Sequence, residues 1–392
     1  MSLLIKGANL ITPRGILSSQ EIKSAGDKLV KIGGTGETAD KVIDADGLYV
    51  SPGFIDTHTH GAGGADYMDA TADAYYTAGH AVGQHGVTTV IPTTLSATND
   101  ELMETFDIFE KIKGVPYDGA DMPGLHLEGP YFAPTMIGAQ DPAYVRNPDP
   151  REYMQAFDRS HLIIRWSNAP ELPGALELGR QLSSRGILAA IAHSAATLSQ
   201  TNEAFDCGYR LVTHLYACTS SSYSNRAAGI RGLGINEASY LLDDMFVECI
   251  GDGIHVIPEM LYMTYKIKGP NRMILCTDSM RAAGTTVEKS ILGSIKNGRE
   301  VYFAEGVAKI AGTNITAASI ATGQTMLKVA VQEAKIPLYD AIRMLSSTPA
   351  YIHNLHDRGQ LIIGKRADMT LFDSNMDIKA VIVGGRILRN DI

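Results

Sequence analysis

Short apolar runs alternate with longer stretches of helical periodicity through the middle of the chain. The runs at 53–57, 87–92, 124–127, 162–166, 187–192, 211–213, 245–249 and 273–276 have the length and apolar character of buried strands. Between several of them, 72–85, 99–112, 175–185, 198–207 and 258–268 carry helical patterns. Eight strands alternating with helices over roughly 250 residues is the count for a (β/α)8 TIM-like barrel in an α/β chain. A doubly wound open sheet is the alternative. The two ends read differently. Residues 1–50 hold short strands separated by Gly, Asp and Pro, and 368–372 with 378–383 read as a terminal strand pair. These ends predict a small β-sandwich domain built from 1–50 plus 355–392, beside a catalytic barrel of 51–354.

Composition narrows the class. At 392 residues the chain exceeds the size at which one core stops growing, so a large domain with a smaller one is expected. A net charge of −9 argues against nucleic acid or an anionic membrane as partner. An anionic substrate would then need a local basic pocket. The four cysteines form no C-x-x-C pair and fall in or beside apolar segments, which fits reduced thiols and a cytoplasmic setting. No apolar run approaches the roughly 20 residues of a membrane span. The start of the chain lacks the basic-then-apolar pattern of a signal peptide.

The polar residues that end the strands carry the chemistry. His58 and His60 follow the first strand, in Asp56-Thr57-His58-Thr59-His60. Glu128 follows the third, His193 the fifth, His214 the sixth, His255 the seventh and Asp278 the eighth. Carboxyl ends of barrel strands are where active sites are built. One His at a strand end is most often a hydrogen-bonded structural residue, and one Asp before Ser is commonly a helix N-cap. Five of the eleven histidines and two acids on one rim are harder to assign to structure. Their N and O donors, without sulfur, suit one or two divalent ions, Zn first and Fe or Mn as alternatives. Such an ion brings the pKa of a bound water from about 15.7 to near 7. Asp278 is placed to take that proton and pass it to a leaving amine, the chemistry of amide hydrolysis. No P-loop or dinucleotide fingerprint competes. His80 and His85 lie in a helical stretch, His353 and His356 sit near the end, and His126 is expected to point away from Glu128's neighbours and pack structurally.

These motifs resemble the amidohydrolase superfamily. Pro52-Gly53-Phe54-Ile55-Asp56-Thr57-His58-Thr59-His60 near the start and Gly364-Lys365-Arg366-Ala367-Asp368 near the end are its hallmarks. Within it, the chain is similar to the N-acetylglucosamine-6-phosphate deacetylase family. The similarity runs through Gly124-Leu125-His126-Leu127-Glu128-Gly129-Pro130, Ala192-His193-Ser194, Thr213-His214-Leu215-Tyr216, Asp252-Gly253-Ile254-His255 and Thr277-Asp278-Ser279-Met280-Arg281. The resemblance implies that Glu128, His193 and His214 hold the indispensable ion, without the carbamylated lysine of many relatives. It makes His58 and His60 ligands of a second ion, Asp278 the acid/base and His255 a substrate contact.

The resemblance also implies a substrate site. Ala139 and Gln140 fall near the acyl group, and Ala311 and Gly312 belong to a small-residue segment lining the sugar. Ala217 and Cys218 occupy the segment where the family has Asn-Ala, so a side chain that helps bind phosphate is missing at Ala217. An arginine donated across a homodimer interface corresponds to Arg226, one position off, with Arg231 as the other candidate. The expected activity is removal of acetate from an N-acetyl amino sugar phosphate, N-acetylglucosamine 6-phosphate first. N-acetylgalactosamine 6-phosphate, an unphosphorylated N-acetyl sugar and an N-acyl amino acid are alternatives. A non-catalytic metal-binding protein on the same scaffold is the reading from another class.

Overall fold

A computed structural model describes residues 1–225 and 230–392. The eight expected strands are all present, two with their ends unchanged and six with ends moved by one or two residues. They are Phe54–Thr59, Val87–Pro92, Leu125–Glu128, Ile163–Asn168, Leu188–Ile191, Tyr209–Val212, Phe246–Ile250 and Met273–Cys276. The third to eighth form one parallel sheet in chain order, and the first two pair in parallel with each other. Thr93 bridges His126 at one junction, and Thr59 bridges Ser279 at the other. There the Asp278 N–H donates to the His58 carbonyl at 2.8 Å, and the His60 N–H donates to Ser279 at 2.7 Å. These bonds tie both edges of the larger sheet to the smaller one. The first three strands are buried along their whole length, as parallel strands covered on both faces must be.

Helices return the chain between strands. Asn99–Ile112 shows why they form where expected. Thr98 and Glu101 make a reciprocal capping box at its start. Leu102, Phe106, Phe109 and Ile112 recur every three or four residues and are buried on one stripe. The core that Phe106, Phe109 and Ile112 enter also contains Val90, Leu127, Trp166, Ile191, Val247 and Leu275 from the strands, while Leu102 packs with Met68 and Ala97.

Both chain ends enter one eight-stranded sheet. Ser2–Thr12 pairs with Gly15–Ala25 on one side and with Lys41–Asp44 and Tyr49–Pro52 on the other. Tyr49–Pro52 then pairs antiparallel with Met369–Phe372, which continues to Ile378–Val383 and Arg386–Asn390. Leu3, Ile5, Leu10 and Ile22 share a core with Met369, Leu371 and Ile382. Leu3-Leu4-Ile5 and Asn9-Leu10-Ile11, which read as two short strands, belong to the one strand Ser2–Thr12. Gly7 sits between them at φ +72°, beside a register shift, and a Cβ there would lie 3.1 Å from the Asp46 backbone.

One element was not expected. Lys289–Leu292, Arg299–Ala304 and Val307–Ile310 form a three-stranded antiparallel sheet after the eighth strand. Leu292, Val301, Ala308 and Ile310 pack with Met280 and Ala317 into its own small cluster. No helix among the described residues is long and apolar enough to cross a membrane.

Candidate active site

The strand ends bring the predicted ligands together. One oxygen of Glu128, Oε1, lies 2.9 Å from His214 Nε2, 3.3 Å from His193 Nε2 and 3.5 Å from His58 Nε2. The other, Oε2, lies 3.6 Å from His60 Nε2. Asp278 Oδ1 faces His60 Nε2 at 3.2 Å and His58 Nε2 at 3.4 Å. Two groups result, Glu128–His193–His214 and His58–His60–Asp278, each with donor atoms within 4.8 Å of one another.

The far ring nitrogens explain why the near ones converge. His193 Nδ1 donates to the Met136 carbonyl at 2.8 Å, and His60 Nδ1 faces the Thr93 carbonyl at 3.3 Å. His58 Nδ1 faces Glu248 Oε1 at 3.2 Å. An acceptor at Nδ1 takes the ring proton, which leaves the Nε2 lone pair free for a cation. His58 Nε2 is buried and has no hydrogen-bond partner among the described residues. An orphaned donor atom aimed between two carboxylates fits a divalent ion. Burial by itself would raise the Glu128 carboxyl, but the imidazoles of His58, His193 and His214 outweigh it and hold it well below the usual range. Burial likewise opposes ionisation of Asp278, and His58 with His60 outweighs it.

Sharp turns at the strand ends aim these side chains. His193, His214 and Asp278 have φ of 45°, 31° and 47°, in the left-handed region that residues with a Cβ avoid. Each such residue stores on the order of 1 kcal/mol or more, a cost that clusters at functional sites.

Beside the ligands is a cavity of about 250 Å3. Asp278, His60, Glu128, His193 and His214 face it, as do the expected contacts Ala139, Gln140, Ala217, Cys218 and His255. His58 does not; it is fully buried beneath them. His255 is oriented by Asp252, whose Oδ2 lies 2.6 Å from Nδ1. Burial would lower its pKa, and the Asp252 carboxylate more than offsets this, so the ring is raised towards the protonated form. Among the described residues, no lysine or arginine lines the cavity.

Several expectations change. Ala311 and Gly312 are exposed and do not line the cavity. The wall is instead Asn314, Ile315, Thr316 and Ala318, because the antiparallel sheet carries 311–312 past the site at a hairpin end. Gln140 is committed to the ligand shell. Its Nε2 donates to Glu128 Oε2 at 2.7 Å, and its Oε1 accepts from the Ser96 N–H at 2.8 Å. Arg231 is exposed on the hairpin of Tyr223–Asn225 and Ile230–Gly232 and does not reach the cavity. Arg226 lies outside the described residues. His126 points the same way as Glu128, as a two-residue period requires. It packs one layer deeper, bonded to Ser167 at 2.7 Å and edge-on to His58.

Sequence reasoning missed the charged pair under the site. Arg165 and Glu248 are both fully buried, at 0% exposure. They sit on the fourth and seventh strands, where alternation turns both towards the axis. A lone Arg and a lone Glu in apolar runs gave the only signal.

Comparison with known proteins agrees with this geometry. The sequence profile of the amidohydrolase family matches residues 49–388. N-acetylglucosamine-6-phosphate deacetylase of Vibrio furnissii is 32% identical, over 86% of this chain and 82% of its own. N-acetylgalactosamine-6-phosphate deacetylase of Escherichia coli O157:H7 is 28% identical, over 99% of both. Among solved structures, a mutant N-acetyl-D-glucosamine-6-phosphate deacetylase from Mycobacterium smegmatis, in complex with N-acetyl-D-glucosamine-6-phosphate, superposes with a TM-score of 0.89. It is 30% identical and covers 100% of this chain and 99% of its own. With a profile match over most of its length and a relative above 30% identity, the chain belongs to the amidohydrolase family, in the group that holds the N-acetylglucosamine-6-phosphate deacetylases.

Proposed function

We propose that the protein hydrolyses the N-acetyl amide of an N-acetyl amino sugar phosphate, N-acetylglucosamine 6-phosphate first, giving acetate and the amino sugar phosphate. The observation that carries this is Glu128, His193, His214 and Asp278 meeting at one cavity in a chain similar to such deacetylases. Glu128, His193 and His214 would hold one divalent ion, and His58 and His60 with Asp278 a second. Zn suits the nitrogen and carboxylate donors best, with Fe and Mn as alternatives. An ion there acidifies water and polarises a carbonyl.

The side chains divide the remaining work. Asp278 takes a proton from the attacking water as its oxygen bonds to the acetyl carbon. When the C–N bond breaks, Asp278 returns that proton to the amine nitrogen. His255, held by Asp252 and raised towards its protonated form, donates from Nε2 to the polarised oxygen or to the sugar. Gln140 holds Glu128 in place.

Ala217 favours a second reading of the same chemistry. It lines the cavity without a side-chain donor for phosphate, so N-acetylgalactosamine 6-phosphate, an unphosphorylated N-acetyl sugar and an N-acyl amino acid are the competing substrates. The wider frame of this proposal is a closed (β/α)8 barrel of 51–354 with a β-sandwich of 1–50 plus 355–392, a homodimer and a cytoplasmic setting.

Acetate release from the two 6-phosphates, free N-acetylglucosamine and an N-acetyl amino acid, each with Zn, Mn or Fe, tests the proposal. It expects the highest kcat/KM on N-acetylglucosamine 6-phosphate. No acetate from any of the four would refute it. A preference for the free sugar would transfer the activity to the second reading.

A further inference from the structure

Arg165 occupies a strand in which every neighbour is buried or nearly so, Ile163-Ile164-Arg165-Trp166. Fully buried arginine is rare and occurs paired. Its partner is Glu248, and the pairing is two-pronged. Arg165 Nη1 donates to Glu248 Oε2 at 2.5 Å, and Nη2 donates to Oε1 at 2.8 Å. Thr57 Oγ1 donates to Oε2 at 2.6 Å, and Thr213 Oγ1 accepts from Nη2 at 2.7 Å. The carboxylate is held from the first and fourth strands, and Thr213 in turn holds the arginine.

That fixed carboxylate has one further neighbour, His58 Nδ1, at 3.2 Å from Oε1. His58 is therefore oriented by a charged side chain. His60 and His193 are oriented by backbone carbonyls, and Glu128 by Gln140. Arg165 neutralises the charge that a lone Glu248 would bring into the dry interior, so the acceptor is kept without an unpaired ion. His58 donates from Nδ1 and presents its Nε2 lone pair to the space between Glu128 and Asp278.

We infer that Arg165 and Glu248 are a positioning pair that holds His58 as a ligand of the second ion, and that they act on that ion and not on the one at Glu128, His193 and His214. The inference rests on the two-ion reading of the site.

Zinc stoichiometry tests it. Metal-free protein is equilibrated against buffered free zinc, and ions per chain are counted by mass spectrometry. Two charge-free cores are compared, Arg165→Met/Glu248→Gln, which keeps an acceptor facing His58, and Arg165→Met/Glu248→Leu, which removes it. Glu248→Asp is the third variant. It keeps the charge that Arg165 needs but withdraws the carboxylate by one methylene, so it decides the matter where the Leu variant does not fold.

The wild type and the Gln variant are expected to take two ions. The Leu and Asp variants are expected to keep the first ion and to bind the second about 10–100-fold more weakly, the usual effect of losing such a support. Equal filling of both sites in all variants, or parallel weakening of both ions, would overturn the inference and leave the two-ion reading standing. A wild type that takes one ion would overturn both.

Discussion

Gln140 separates two accounts of the site, and removing it tells them apart. By resemblance it contacts the acyl group; in the structure both ends of its amide are used inside the protein. Gln140→Ala deletes a hydrogen bond to the Glu128 carboxylate, and bonds to charged groups contribute about 1.5–3 kcal/mol. It also strips the buried Ser96 N–H of its acceptor, at about 1–3 kcal/mol. The cavity beside Gln140 lets water replace part of this, so the lower bounds apply and the expected loss is about 2.5 kcal/mol. The assay is urea unfolding of metal-free, substrate-free protein, with kcat and KM of the zinc-loaded enzyme in parallel. Unfolding should move to lower urea, and kcat should fall because Glu128 is no longer held. Gln140→Glu should be worse than Gln140→Ala, since it sets a second carboxylate 2.7 Å from Glu128 Oε2. Stability within about 0.5 kcal/mol of wild type, with an effect on KM alone, would refute the reasoning and return Gln140 to the acyl group.

Three further outcomes follow from the geometry. Asp278→Asn should keep the ion at Glu128, His193 and His214 and lose at least about 100-fold in kcat, read by acetate release beside metal analysis; full activity would remove Asp278 from the chemistry. Replacing both His58 and His60 with Ala should lower metal content by one ion per chain and leave measurable turnover; complete loss of metal would place the indispensable ion on this pair. His353 is buried, its Nε2 has no partner among the described residues, and burial followed by the charge of Arg165 takes its pKa from 6.5 down to about 4. The unfolded chain binds the proton first, so stability is full above pH 6.5 and falls by about 3 kcal/mol as pH drops to about 4; urea midpoints should show His353→Leu with a shallower acid limb, and an unchanged limb would contradict this.

The legible and illegible parts differ in kind. Strands such as Val87–Pro92 and Met273–Cys276 could be read to the residue, because a strand buried on both faces has to be apolar throughout. Asn99–Ile112 was equally readable, since its cap and its stripe both lie within its own residues. The ligands could be found because each stands immediately beyond such a run. The sheet from Lys289–Leu292 to Val307–Ile310 was not readable. Its strands are short, partly exposed and paired with one another in a sheet of three, so their pattern resembles loop, and with it went the true wall of the cavity. His126 packs structurally beneath the site, as expected of it.

The amino-acid sequence by itself determined the order of strands and helices, the seven polar residues at the strand ends and the family to which they point. These are local properties, set by which residues sit next to which. Tertiary structure alone decided partnership. Arg165 and Glu248 are 83 residues apart and nothing along the chain pairs them; only the alignment of the fourth and seventh strands makes them one buried pair beneath His58. Gln140 becomes a support for Glu128, and Ala311 and Gly312 leave the site, for the same reason. A hydrogen bond depends on distance in space, and distance along the chain does not contain it.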